Sequence, residues 1–295
     1  MKGLILINAY SKLEHSLHQS ERLKDEFFKL GVDADIVRND GFFCVINEDG
    51  EISSKISGYD FCVYLDKDKY VSEMLEKIGL RLYNRHAAIR ACDDKMKTHI
   101  LLSGNNVKMP LTAPGLLCYD DDAEIKPQTV ETLEKLFGYP IIVKGSYGSM
   151  GQSVFKADCR AGLLELMERL KRKAHLFQKC VTSSIGKDMR IIVIGGRARA
   201  AMLRESKSDF RSNIELGASG IAVEPAPDFE RAAEAAARVL GLDFCGVDVL
   251  FGENGEPIVC EVNSNAFFGG IEAATGKNIA REYAEYILSD LKEKR

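Results

Sequence analysis

The chain has 295 residues, 45% hydrophobic and 28% charged, an ordinary globular composition long enough for two or three subdomains rather than one small core. Forty basic residues against 44 acidic leave a net charge of −4, which argues against a general nucleic-acid binder. No run reaches the roughly 20 apolar residues of a membrane span, and eight scattered cysteines without a Cys-x-x-Cys pair point away from zinc and towards a reducing, cytoplasmic setting.

The opening MKGLILINAY reads as a short buried strand, Gly3–Asn8, too brief for a secretory signal. Leu17, Leu23, Phe27 and Leu30 predict a helix over Glu14–Leu30, ended by Gly31. Strands at Asp33–Val37 and Asp60–Leu65, a helix at Val71–Ile78 and a short strand at Arg81–Asn84 complete an α/β pattern that predicts a parallel sheet with helical crossovers. A helical pair follows, Arg85–Ala91 and Asp93–Ser103, and then a turn-rich connection, Asn105–Pro114, that marks a subdomain boundary. Between about 127 and 182 helices are expected at Thr129–Phe137 and Ala161–Lys171, with strands at Pro140–Lys144, Ser153–Lys156 and His175–Val181. Beyond Asp188 come strands Met189–Ile194 and Arg197–Arg204 joined at Gly195-Gly196, a helix at Phe229–Leu240, and a closing helix at Lys277–Lys294.

The stretch FCGVDVLFGENGEPIVCEVN (244–263) carries the most chemistry. Two β-type runs, Gly246–Phe251 and Pro257–Asn263, flank Asn254-Gly255, a pair suited to a two-residue hairpin turn. With that loop, Glu253 pairs with Glu256 and Asp248 comes to lie opposite Glu261, with Asn263 on the same sheet face. Two carboxylates and a carboxamide make an oxygen set suited to Mg²⁺. Both acids sit inside apolar runs, where an unpaired charge is costly, so a plain solvated face is the weaker reading.

Lys144 ends the strand YPIIV and is followed by GSYGSMG, whose glycines at 145, 148 and 151 let backbone N–H groups turn towards an anion. The spacing fits neither a P-loop nor a dinucleotide fingerprint, and a flexible hairpin loop is an equal alternative. Arg190, Arg204 and Arg211 lie on or just beyond strands near the carboxylate hairpin and offer bidentate contacts to phosphate or carboxylate, although each alone reads as a surface charge. Asp188 beside Arg190 is equally a salt-bridged strand edge, and Lys95 on its helix is by default solvated.

In this order the signals resemble the ATP-grasp superfamily, and within it the RimK-like carboxylate–amine ligases. The resemblance is carried by DDKMKTHILL…VKMPLT (93–112), YPIIVKGSYGSMGQSV (139–154), FQKCVTSSIGKDMRIIVIG (177–195), DFRSNIELGA (209–218), GVDVL…IVCEVN (246–263) and GGIEAATGKNIA (269–280). It covers about residues 84–290. It implies an α/β (α+β) chain with the ATP-grasp fold, an N-terminal parallel α/β pre-ATP-grasp domain at 1–92 and an ATP-grasp domain at 93–295. The latter would divide into a lid and ATP subdomain at about 105–182 and a metal and substrate subdomain at about 183–295.

The resemblance also implies roles. Lys95 and Lys144 would contact the phosphates of ATP beneath a lid containing Gly148, Ser149 and Gly151. The backbone of Gln178, Lys179, Cys180 and Val181 would read adenine, Asp188 would hold the ribose, and Arg190 would belong to the same nucleotide set. Arg211, Arg204 and Asn213 would face the γ-phosphate and the acid, and Asp248, Glu261 and Asn263 would bind Mg²⁺, with Mn²⁺ as a substitute. The implied reaction joins a small-molecule or peptide carboxylate to an amine, foremost an amino acid, through an acyl phosphate, releasing ADP and phosphate. No membrane or general nucleic-acid partner is expected, and homo-oligomerisation is left open. A phosphotransferase using the same ATP site and a nucleotide-binding regulator without turnover remain as alternatives.

Overall fold

Apolar runs buried on both sides build the first sheet. The structure, a computed structural model, describes residues 1–12, 14–41 and 43–293, with only the backbone at Glu215; Lys294, the expected end of the last helix, lies outside them. In chain order come β1 (Lys2–Ile7), α1 (Glu14–Lys29), β2 (Asp33–Arg38), a small hairpin β3 (Cys44–Ile46) and β4 (Ile52–Ser54), β5 (Phe61–Leu65), α2 (Lys69–Lys77) and β6 (Leu82–Tyr83). The sheet order is β2-β1-β5-β6, all parallel. Every residue of β5 is buried, as a parallel sheet covered on both faces requires. Ile5, Phe61 and Val63 pack with Phe27 on one face, and Leu4, Cys62 and Tyr64 with Leu75 on the other.

Two short helices then cross to the rest of the chain, α3 (His86–Asp93) and α4 (Lys95–Leu102), the second capped by Asp94, whose Oδ1 accepts from the Lys97 amide at 3.1 Å. The middle sheet comprises β7 (Thr112–Pro114), then, after α5 (Pro127–Phe137), β8 (Ile141–Gly145), β9 (Val154–Ala157) and, after α6 (Arg160–Leu170), β10 (His175–Lys179). Its order is β7-β10-β8-β9, antiparallel throughout. Helices α5 and α6 cover the face carrying Ile141, Val143 and Phe177. By strand alternation the opposite face carries Ile142, Lys144, Leu176 and Gln178.

The last sheet is β11 (Lys187–Ile194), β12 (Arg197–Glu205), β13 (Ser219–Ala222), β14 (Phe244–Phe251) and β15 (Pro257–Asn263), ordered β13-β12-β11-β14-β15. Helix α7 (Pro227–Leu240) packs its alanine face on Ile191, Val247 and Val262. Helices α8 (Gly269–Thr275) and α9 (Ile279–Glu293) take the other face and share a core with α1 and β1. The first and last sheets are therefore joined through one hydrophobic core.

The β14–β15 hairpin meets the expected pairing by a different route. Gly252 N donates to Glu256 O at 2.8 Å, leaving a three-residue loop of Glu253, Asn254 and Gly255, the last at φ +79°. That turn alone would put Asp248 opposite Cys260. A β-bulge between Asp248 and Val249 absorbs Cys260 as an extra residue, and Asp248 pairs with Glu261 after all.

Glu26, 2% exposed on α1, fastens this helix to the C-terminal body. Its Oε1 takes hydrogen bonds from Lys29 at 2.8 Å, Arg22 at 3.0 Å and Asn278 at 3.1 Å. Burial pushes its pKa up, but these donors outweigh burial and hold it at about 2 against the ordinary 4.5. A depressed folded-state pKa contributes stability above 4.5 that is lost as pH falls towards 2, worth about 3 kcal/mol at full ionisation. Thermal unfolding followed between pH 5 and 2 should therefore show a shallower acid decline in Glu26→Gln than in the wild type.

Candidate active site

The uncovered face of the middle sheet and the strands of the last sheet enclose a cleft. Ile142, Lys144 and Val154 line it from one side, Asp248, Leu250 and Cys260 from the other, and Lys179, Cys180 and Val181 run along its edge. Lys144 is 6% exposed, and its Nζ lies 3.4 Å from the Cys260 sulfur on the bulge. Ile142, Val154 and Leu250 make an apolar slot beside that fixed cation, a combination suited to a planar base with a charged tail.

The glycine loop is tied down by its own carbonyls. Lys95, far from solvated at 8% exposure, donates from Nζ to Gly148 O at 2.7 Å and lies 3.4 Å from Glu261 Oε1. Arg211 donates from Nη1 to Gly151 O at 2.6 Å while Nε and Nη2 hold Asp209. At Gly151 the backbone stands at φ +70° and an added Cβ would come 3.0 Å from Asn213 Oδ1, so only glycine fits between the loop and Asn213.

Beneath the cleft lies a buried ionic network. Arg204, 1% exposed, donates to Asp188 through Nε at 2.7 Å and Nη2 at 2.5 Å, and Nη2 also reaches Asp248 Oδ2 at 3.0 Å. Arg190 grips Asp248 from the other side with two bonds of 2.7 Å. Burial works to raise the Asp248 pKa, but Arg190 and Arg204 override it and hold the carboxyl below the ordinary carboxylate range. At Asp188 burial outweighs Arg204 and lifts the pKa.

A second cavity, about 580 Å³, opens between the first and last sheets. Asn8, Tyr10, Ser11 and Lys12 follow β1, Asp66 and Lys67 follow β5, and Ser149, Met150, Arg190, Asn263 and Phe267 close it opposite. Asp66 accepts from Asn8 Nδ2 at 3.0 Å and Asn39 Nδ2 at 3.1 Å, fixing the strand ends. Arg38 supports the β1 loop by donating to Ser11 O at 2.9 Å.

The expected residues thus divide. Lys144, Gly151, Gln178, Lys179, Cys180, Val181, Asp188, Arg204, Arg211 and Asp248 line the cleft, Arg190, Ser149 and Asn263 border the wider cavity, Glu261 and Asn213 border both, and Lys95 and Gly148, bonded to each other, line neither. Arg190 stands away from the nucleotide set with which it was grouped, and Arg204 holds protein carboxylates instead of an open position. Sequence reasoning missed the contribution of Asn8, Tyr10, Lys12, Asp66 and Lys67. A signal existed: β1 is the strand where the order of a parallel sheet reverses, and ligands gather at the carboxyl ends of strands at such a point.

The family model of the RimK-like ATP-grasp domain matches residues 92–287. N-acetylaspartylglutamate synthase A of Homo sapiens is 34% identical over 229 residues, covering 77% of this chain and 57% of that protein. The "Probable alpha-L-glutamate ligase" of Halorhodospira halophila is 36% identical over 220 residues, 74% of this chain and 70% of that one. The chain spans between 55% and 59% of the length of the N-acetylaspartylglutamate and beta-citrylglutamate synthases it matches. Among solved structures, D-cycloserine synthetase superposes with a TM-score of 0.75 at 16% identity, over 99% of this chain and 100% of that one. A RimK domain ATP-grasp protein of Sphaerobacter thermophilus gives 0.71 at 17% identity, over 97% and 99%. Those identities speak for the fold; the domain match and the two sequence relatives speak for descent. The chain belongs to the RimK-like ATP-grasp family.

Proposed function

We propose that the chain joins a carboxylate to an amine using ATP, by way of an acyl phosphate. The observation that carries this reading is the junction of the two cavities, since Glu261 and Asn213 line both. A nucleotide whose base lies in the apolar slot and whose phosphates run past Lys144 would end at that junction. An acid in the wider cavity would meet the γ-phosphate from the opposite side, the in-line arrangement that phosphoryl transfer needs.

The residues then have separate tasks. Lys144 and Lys95 supply fixed positive charge to the phosphates, and Arg211 with the Gly148–Gly151 backbone covers them. Arg190, Lys12 and Lys67 give the wider cavity a positive lining for the acid, while Tyr10 and Phe267 narrow it against water. Arg204 acts at one remove, holding Asp188 and Asp248 in place. The amine attacks the acyl carbon and phosphate leaves; because two relatives bear names specifying glutamate, glutamate is the first amine to test.

A divalent cation fits the donors at the junction. Glu261 and Asn263 stand two residues apart on β15 with Asp248 paired to Glu261, all hard oxygen donors. Asp248 already receives two guanidinium groups and offers a cation only its remaining lone pairs. Among the described residues no three His, Cys, Asp or Glu side chains form a group that could hold a metal ion, so nucleotide oxygens and water would complete the ligand set. Bound Mg²⁺ would supply charge neutralisation for the transferring phosphoryl group.

The test is interception. With Mg²⁺–ATP and a panel of carboxylic acids, added hydroxylamine should convert the true acid into its hydroxamate while ADP appears, with mass spectrometry reading the product. ADP release driven by the acid, with no hydroxamate and a stable phosphorylated product instead, would replace the ligase by a phosphotransferase.

A further inference from the structure

The last two strands of the third sheet part earlier than their register requires. Pairing of β14 with β15 ends at Gly246 and Asn263, so Phe244 would next face Asn265. The carboxamide of Asn84, just beyond β6, stands there instead. Its Oδ1 accepts from the amides of Asp243 at 2.7 Å and Phe244 at 2.9 Å, and its Nδ2 donates to Phe244 O at 2.7 Å and Ser264 O at 2.8 Å. The residue is 2% exposed, and its full donor and acceptor capacity is used. Backbone carbonyls only accept, so these partners also fix which end of the carboxamide carries the nitrogen.

Wedged between the strands, Asn84 turns the chain out of the sheet and across β14. Ala266 lies so close over Gly246 that a Cβ added at position 246 would come 2.7 Å from that of Ala266. The N-terminal elements then hold the diverted segment one residue after another. Asn84 takes Ser264 O, Asn265 Nδ2 donates to Leu65 O at 2.9 Å at the end of β5, and Gln19 of α1 donates from Nε2 to Ala266 O at 3.3 Å. The Phe267 ring meets His15 of α1 at 5.8 Å between centroids. Asn263, Asn265, Ala266 and Phe267 all line the wider cavity, and none of them lines the cleft. Asn84 and Gln19 line neither.

We propose that Asn84 is a positioning residue for the substrate of the wider cavity, holding Asn265, Ala266 and Phe267 as its wall, with Gln19 as a second anchor on the same segment. The inference rests on the reading given above, in which that substrate is the carboxylic acid. A side chain that contacts neither ligand then sets the affinity for one of them and leaves the other alone. Aspartate at position 84 would still accept from the two amides, but it would set an oxygen against the carbonyls of Phe244 and Ser264 and so release the segment.

Steady-state kinetics of the full chain test this, with hydroxylamine as the amine and, as the acid, the member of the panel that forms a hydroxamate. Titration calorimetry reads Mg²⁺–ATP separately. Asn84→Asp should raise KM for the acid tenfold or more while kcat falls less than threefold and Kd for Mg²⁺–ATP stays within twofold. Gln19→Leu, which breaks the anchor on Ala266 from a different element, should raise KM for the acid about threefold or more with the same indifference to ATP. A merely structural role would weaken both ligands together. Should Asn84→Asp fail to fold, Gln19→Leu decides alone. An unchanged KM for the acid in the folded variants, or an equal weakening of acid and ATP, would overturn the inference and leave the ligase reading standing. A wild type that forms no hydroxamate with any acid of the panel would overturn the reading of the wider cavity and this inference together.

Discussion

Arg204→Leu should destabilise the chain by about 3–5 kcal/mol and reduce turnover to background, the largest effect expected of any single substitution here. The guanidinium is 1% exposed and serves Asp188 through two bonds and Asp248 through one. Among the described residues Arg204 is the cation paired with Asp188, so its removal leaves that carboxylate buried and unpaired, whereas Asp248 keeps Arg190. Urea unfolding measures the loss. Adding Asp188→Leu to Arg204→Leu should recover a large part of it, because the penalty arises from the stranded carboxylate more than from the missing attraction. Arg204→Lys should fall between, since one ammonium cannot bridge two carboxylates in bidentate geometry. A stability loss under about 1 kcal/mol for Arg204→Leu would mean that water reaches Asp188 freely and that the network does not organise the site.

The second large effect separates chemistry from folding. Glu261→Gln should lower ATP turnover by on the order of 10³-fold, about 4 kcal/mol in the barrier, while shifting stability by less than about 1 kcal/mol. Glu261 is partly exposed, and the only protein cation near its carboxylate among the described residues is Lys95 at 3.4 Å. Its charge is therefore available to the junction rather than to the fold. Turnover near the wild-type rate at saturating Mg²⁺, in a variant that unfolds normally, would remove Glu261 from the site.

How far the sequence carried depends on which forces acted locally. Strand and helix placement followed from apolar periodicity, and the alternation in residues 1–83 was enough to predict a parallel sheet. The β3–β4 hairpin escaped because its three-residue strands are too short to show a period, and Val45 and Ile46 are exposed. The pairing of Asp248 with Glu261 was anticipated from a two-residue turn, yet the turn has three residues and a bulge restores the register. Two departures, each invisible in the sequence, cancel. The roles of Arg190 and Arg204 were harder to read. Nothing local distinguishes a guanidinium that holds a ligand from one that holds Asp248 across 58 residues or Asp188 across 16. Asn84 and Ser264, 180 residues apart, were beyond reach for the same reason.

The carbonyls of Gly148 and Gly151 have a kinetic consequence. They occupy Lys95 and Arg211, the cations an incoming triphosphate would seek, and the cleft they help close holds only about 110 Å³. On the reading proposed above, entry of a nucleotide would be an exchange of partners, in which phosphate oxygens take over the ammonium and guanidinium as the loop lets go. Association would be paced by the loop's release and would saturate with rising nucleotide concentration, while small anions such as sulfate, drawn to the same two cations, would compete with it.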